Sequence, residues 1–372
     1  MLGTRTLDVC SVVYQPVKKG NTPFKAMRDF CALMCPKPLL PKQPVYGFND
    51  WYCDYGNNTA ESVAEYARFV VRLSPKGGNR PYMVIDDGWQ PPGPASGGPW
   101  NIGNEKFPSM PELAKEIEAI GAKPGIWVRL LTAQKYQAGS WRLRDEQSTT
   151  LDPSKPEVRA YIVTTVRNIR SWGYKLIKHD FSTFDIFKEW DQIIPKDAAT
   201  WSFSDRSRTS AEIVTDFYRA VREGAGDAVI IGCNTLSHLS AGIFEVNRTG
   251  DDTSGKDSHR LTKMGVNTMA FRIAHEGTFY SADADCVGLT EKEAIPWALT
   301  CQWLQLLSQS GTPLFISFKK GSVTPEQEKV IAAALEVASQ PQPLAEPLDW
   351  FTELMPKRWV LRGKTVEFDW SK

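Results

Sequence analysis

Residues 174–181 read Y-K-L-I-K-H-D-F, with apolar side chains flanking a lysine and an aspartate that an ordinary core strand does not tolerate. Side chains alternate across a strand, so Leu176, Lys178 and Asp180 face one way and Ile177, His179 and Phe181 the other. An ammonium and a carboxylate two residues apart on one strand face are costly when buried without a role. At the C-terminal end of a strand in a parallel α/β barrel, the same two groups look into the mouth that carries the chemistry. A structural ion pair is the plainer alternative for this strand taken alone.

Outward from this strand the pattern is regular. A helix over 155–172 ended by Gly173 precedes it, and a helix over 210–223 follows. Upstream, strands are expected at 45–51, 81–87 and 124–131, with helices at 59–73 (Thr59 as N-cap) and 110–120. Downstream come strands at 228–233, 243–248 and 313–318, and helices at 291–310 and 324–339. Strand seven falls in 268–273 or in 278–282. Strands alternating with helices call for a parallel sheet, and eight such units in about 300 residues for a closed (β/α)8 TIM barrel.

The fold class is therefore α/β, with the catalytic barrel over 44–342. Residues 1–43 form a lead-in: a strand at 7–15, a helix at 24–34 and the start of the Pro-rich run C-P-K-P-L-L-P-K-Q-P at 35–44. Residues 343–372 read as a small C-terminal β segment, with strands at 359–361 and 365–370 around Arg362-Gly363-Lys364.

Composition narrows the partners. Lys and Arg total 44 against 43 Asp and Glu, a net charge of +1 that disfavours nucleic acid and anionic membrane surfaces. Thirteen Trp and eleven Tyr suit apolar sugar faces as well as cores. The seven Cys are scattered with no C-x-x-C, and none of the four His stands at ligand spacing from another, so reduced thiols and no metal or cofactor are expected. The first residues lack an apolar signal core and no apolar run approaches transmembrane length, which points to the cytoplasm. Self-association into a homo-oligomer stays open.

The residues ending the strands would share one mouth. They are Asn49, Asp50 and Trp51; Asp86, Asp87 and Trp89; Trp127; Lys178 and Asp180; Cys233 and Asn234; Arg248, Asp251 and Asp252; Asp283 and Asp285. Paired carboxylates among aromatic platforms and charged hydrogen-bonding groups are what glycoside hydrolysis needs. No G-x-G-x-x-G follows strand one and no P-loop occurs, which disfavours nucleotides.

Six stretches occur in order: G-F-N-D-W at 47–51, V-I-D-D-G-W at 84–89, G-P-W-N-I-G-N-E-K-F-P at 98–108, K-P-G-I-W at 123–127, L-I-K-H-D-F at 176–181 and R-T-G-D-D-T at 248–253. Together they resemble the barrel of clan-D glycoside hydrolases, the α-galactosidases of families 27 and 36, with the raffinose-synthase-like enzymes as relatives. The resemblance implies that Asp180 is the nucleophile and Asp252 the acid/base, with Asp251 as the neighbouring rival and Arg248 opening the motif. It implies that Asp86 and Asp87 grip sugar hydroxyls, that Lys178 contacts the ring hydroxyls, and that Trp51 and Trp127 line the pocket. Cys233 would stand in the mouth as a small apolar wall. The run G-C-N-T-L-S-H at 232–238 matches neither family, and it falls where the resemblance puts the C2 substituent. The terminal sugar is thus left open between galactose, N-acetylgalactosamine and a pentopyranose. Asn49-Asp50-Trp51 stands where Asn-Ser-Trp is commoner, which bears on O6 recognition.

The expected function is a retaining α-galactosidase-like hydrolase acting on an α-galactoside carbohydrate. The alternatives are a raffinose-synthase-like transglycosylase, a non-catalytic sugar-binding barrel, or a Schiff-base aldolase using Lys178. Lys178 beside Asp180 is expected to depress the carboxyl pKa, and the acid/base needs its own raised. Trp89, Trp172, Trp190, Trp201 and Trp303 read as packing, His179 as a hydrogen-bonded buried histidine, and Glu291-Lys292-Glu293 as an exposed first helical turn.

Overall fold

The computed structural model describes residues 4–7, 9–91, 97–187, 201–290, 294–319 and 321–371; Trp190 and residues 291–293 lie outside them. Among the described residues, nine parallel strand segments form the central sheet: β1 (Tyr46–Asn49), β2 (Tyr82–Ile85), β3 (Lys123–Val128), β4 (Leu176–His179), β5 (Val229–Gly232), β6 (Val246–Arg248), β7 (Ser281–Asp283), β8 (Cys286–Leu289) and β9 (Leu314–Phe318). Their order across the sheet is β7-β6-β5-β4-β3-β2-β1-β9-β8. The two ends of that order, β7 and β8, are separated in the chain only by Ala284 and Asp285. One stretch, 281–289, thus pairs with β6 through its first half and with β9 through its second, so the sheet closes on itself. Counted by stretches of chain the wall has eight staves, the expected (β/α)8 barrel. The break falls at Asp285, whose φ of +72° is a left-handed conformation that non-glycine residues seldom adopt.

This locates strand seven at the end of the 278–282 window. The other window, 268–273, is helical: Thr268–Arg272 continues a π-helical segment, Leu261–Asn267. Its buried residues, Met269 and Ala270, serve a helix packed on β7 rather than a strand face. The expected strand at 7–15 is likewise absent among its described residues. Val9 and Val12 are 82% and 93% exposed, and no neighbouring strand supplies hydrogen bonds to this stretch.

The helices Ala60–Leu73, Met110–Ile120, Pro156–Ser171, Ser210–Ala225, Trp297–Gln309 and Pro325–Ala338 follow their strands along the chain. Thr59 caps the first as expected, exchanging hydrogen bonds with Ser62. Inside the barrel Val84, Leu176, Ile231, Val246 and Phe315 pack together, whereas Ile177 belongs to the larger apolar layer that includes the helices. The period-two reading therefore holds along β4, whereas Phe181, expected on the outer face, follows the strand with a φ of +67° and borders the same cavity as Asp180. β1 approaches β2 so closely that a Cβ on Gly47 would lie 2.0 Å from the Tyr82 carbonyl oxygen.

His179 turns outward into a cage of Phe217, Tyr218 and Phe244. Neither ring nitrogen has a hydrogen-bond partner, contrary to expectation. Burial lowers its pKa to about 3, so the ring sits neutral among aromatic edges. Trp89 and Trp303 are fully buried, and Trp172 and Trp201 pack against the core.

After the last barrel helix, β10 (Glu346–Pro347), β11 (Arg358–Leu361) and β12 (Lys364–Glu367) make a small antiparallel sheet. Trp359 and Trp370 both donate their indole N–H to the Pro356 carbonyl at 2.8 Å. No helix among the described residues is long and apolar enough to cross a membrane.

Candidate active site

Register brings the polar strand ends together. Ile85 pairs with Ile126 and Trp127 with Lys178. Continued by one residue, that register sets Asp86 beside Trp127 and Trp127 beside Lys178. A cavity of about 590 Å³ opens at this end of the barrel. Asp180, Asp252, Trp51, Asp86 and Asp87 line it, together with Trp127, Lys178, Cys233 and Arg248. The nine residues to which the resemblance gives a catalytic or pocket role therefore border one space. Phe181, Asn234, Gly250, Asp251 and Met264 complete the lining. Met264 lies on the π-helical segment Leu261–Asn267, for which the sequence gave no expectation.

Lys178 donates to Asp86 Oδ2 at 2.6 Å, and Asn49 Nδ2 donates to the same oxygen at 2.7 Å. The other oxygen of Asp86 accepts the Asp87 N–H at 2.9 Å. Burial opposes the ammonium charge, yet Asp86 above all holds the Lys178 pKa well above its usual value. Asp87 accepts from Gln90 Nε2 at 2.5 Å.

Asp50 does not reach the cavity, although the sequence placed it at the mouth. It is fully buried in the wall, where its Oδ1 accepts the Asp86 N–H at 2.7 Å and its Oδ2 accepts from Asn58 Nδ2 at 3.1 Å. Burial, followed by the charge of Asp86, pushes its carboxyl up to about 8. Asn49, Trp89, Asp283 and Asp285 also stand behind the lining, as supports.

Asp180 ends β4 with both carboxylate oxygens engaged. Trp127 Nε1 donates to Oδ2 at 3.0 Å, and the Phe181 N–H to Oδ1 at 2.6 Å. The second bond goes with a left-handed Phe181, φ +67°. The net pKa of Asp180 is raised, because burial outweighs the Lys178 charge and the Trp127 hydrogen bond that pull it down. The expected depression by Lys178 is thus present but smaller than the cost of desolvation. Asp252 and Asp86 add to the upward push.

Across the cavity, Arg248 places NH2 3.1 Å from Asp252 Oδ1, and Trp51 Nε1 donates to Asp252 Oδ2 at 3.3 Å. Asp251 is engaged elsewhere: Arg260 donates to its Oδ2 at 2.8 Å, and the Asp252 N–H to its Oδ1 at 2.7 Å. Cys233 Sγ lies 3.4 Å from Arg248 NH1, and burial pushes its thiol well up, so it stands as a neutral wall. Phe181, Asn234, Ser254 and Asp285 all take positive φ around this end of the barrel. Strained backbone of this kind is kept where the surroundings over-determine it.

Two features were missed on the sequence. Tyr52 reads as an ordinary aromatic after strand one, yet its hydroxyl donates to Asp285. Thr253 ends a recognisable motif, but that its backbone N–H bonds a carboxylate on another stave was not legible. Among the described residues, no three His, Cys, Asp or Glu gather in a way that could hold a metal ion.

No family model matches the chain. Several solved structures share its fold. An α-galactosidase from Thermus thermophilus, in complex with p-nitrophenyl α-D-galactopyranoside, aligns with a TM-score of 0.68 at 19% identity, over 92% of this chain and 70% of its own. A GH27 β-L-arabinopyranosidase from Geobacillus stearothermophilus, in complex with arabinose, gives 0.60 at 17% identity, over 85% of this chain and 80% of its own. A GH36 α-galactosidase from the same organism, in complex with 1-deoxygalactonojirimycin, gives 0.57 at 13% identity, over 84% of this chain and 45% of its own. At these identities the likeness is one of fold. That fold is the barrel of the glycoside hydrolases that the strand-end motifs resemble.

Proposed function

We propose that the barrel is a retaining α-glycosidase hydrolysing a terminal α-galactoside or a close analogue, with Asp180 as nucleophile and Asp252 as acid/base. One observation carries this reading: two carboxylates border one cavity, each held by the indole N–H of a different tryptophan, Trp127 for Asp180 and Trp51 for Asp252. Asp180 attacks the anomeric carbon while Asp252 gives its proton to the departing oxygen, leaving a covalent glycosyl-enzyme. Water, giving a proton to Asp252, then displaces Asp180 from the face the first leaving group left. Two inversions retain the configuration. Asp86, Asp87 and Lys178, clustered on one side, supply acceptors and a donor for ring hydroxyls. Trp51 and Trp127 supply flat apolar walls.

The neighbours in fold support the substrate class, since their bound ligands include a galactoside and arabinose. The test is hydrolysis of para-nitrophenyl glycosides of α-galactose, N-acetyl-α-galactosamine, β-L-arabinopyranose and α-glucose, wild type beside Asp180→Asn. Turnover of the galactoside or the arabinopyranoside that vanishes in the variant is the expected result. Silence across the panel in folded protein, or turnover that survives the substitution, overturns the reading.

A further inference from the structure

One carboxylate holds the chain on both sides of Asp252. Asp285 Oδ1 lies 3.1 Å from Arg248 NH1, and the NH2 of the same guanidinium meets Asp252 at 3.1 Å. Asp285 Oδ2 accepts the N–H of Thr253 at 2.7 Å and the Thr253 hydroxyl at 2.9 Å, and takes a third hydrogen bond from the Tyr52 hydroxyl. Asp285 is itself only 4% exposed and stands behind the cavity lining, at the left-handed break where the barrel closes. Its two oxygens are used on residues that bracket position 252 and on the turn after β1, so substrate does not need to touch it.

We propose that Asp285 is a positioning residue for the acid/base. Resting on the glycosidase reading above, the inference gives Asp285 two tasks. It clamps the backbone of residue 253, which aims the Asp252 side chain. It also takes one edge of the Arg248 guanidinium, so that Arg248 is oriented and its charge is shared between two carboxylates instead of falling on Asp252 alone. Tyr52 extends the support from β1: its hydroxyl fixes Asp285 as its ring packs among the apolar side chains inside the barrel.

A role exercised through the acid/base has a signature that general loosening lacks. A leaving group that needs no proton departs without the acid, so its kcat/KM is insensitive to where Asp252 points. The experiment compares a 2,4-dinitrophenyl α-glycoside with the methyl α-glycoside of the same sugar, in wild type and Asp285→Asn. The expected result is a fall of roughly 100-fold in kcat/KM for the methyl glycoside, in the range general acid catalysis contributes, with little change for the dinitrophenyl substrate. Equal losses on both substrates, or no loss on either, overturn the role of Asp285. Should Asp285→Asn not fold, Tyr52→Phe decides: it removes one hydrogen bond and leaves the carboxylate, and a smaller loss confined to the methyl glycoside is expected. An even loss or none in that variant overturns the proposal. Wild-type protein silent on both substrates instead overturns the glycosidase reading beneath it.

Discussion

Lys178 contacts Asp86, two staves away across the barrel, at 2.6 Å. Both side chains are nearly closed to solvent, at 10% and 4% exposure. Removing one member of such a pair strands the other charge. Lys178→Met is therefore expected to cost about 3–5 kcal/mol, seen as a lower urea midpoint at unchanged slope. An unchanged midpoint would mean that Asp86 is satisfied without the ammonium.

Asp251 and Asp252 are adjacent in sequence but engaged differently. Arg260 takes Asp251, whereas Trp51 and Arg248 face Asp252 across the cavity. Asp252→Ala is expected to lower kcat/KM on an unactivated α-glycoside by roughly 10²–10⁴-fold. Added azide should restore turnover of an activated glycoside and yield the glycosyl azide. Asp251→Ala should keep most of the activity. The reverse ranking would exchange their roles.

The nucleophile sets the acid limb of the rate profile. Burial first raises the pKa of Asp180, and the Trp127 N–H is one of the groups drawing it back. A group with a raised pKa stays protonated, and so inactive as a nucleophile, to higher pH. The acid limb of kcat/KM should fall above the ordinary aspartate range, and Trp127→Phe should move it further up. A limb that moves down in Trp127→Phe would contradict this assignment.

Much of this site was legible in the residues, and the physical reason is locality. Strand alternation puts Leu176, Lys178 and Asp180 on one face whatever surrounds them. Strand ends in a parallel barrel share one mouth, so Asp86, Trp127 and Asp252 could be gathered from their places in the sequence. Pairing between distant staves could not. That Lys178 meets Asp86 rather than Asp180 depends on the register of β2, β3 and β4. Asp50 shows the same limit: its place at a strand end suggested the mouth, but its side chain turns back to grip the Asp86 N–H. Strand seven stayed open between two windows because S-A-D-A-D-C-V-G-L at 281–289 changes partner at a left-handed aspartate, and no period-two pattern survives such a break.

Beneath the barrel, Glu276 accepts hydrogen bonds from Ser281 Oγ and the Ala282 N–H, and burial raises its carboxyl to about 7. A folded pKa above the ordinary 4.5 means that the folded state favours the neutral form. The associated stability is fully present below about 4.5 and is lost as pH rises through about 7. Glu276→Gln keeps the shape without the titration. The fall in stability of wild type between acid and neutral pH should shrink in this variant by about 1–3 kcal/mol, measured by urea unfolding at several pH values. Parallel curves for the two proteins would remove Glu276 from the pH response.

The most direct measurement is capture of the glycosyl-enzyme. Wild-type protein is treated with a 2-deoxy-2-fluoro-galactosyl reagent bearing an activated leaving group, which forms the intermediate faster than it decays, and the labelled peptide is identified by mass spectrometry. One sugar unit is expected, attached to Asp180, and none in Asp180→Asn. A label on Asp252 or Lys178, or turnover of α-glycosides by protein that never carries a label, would contradict it.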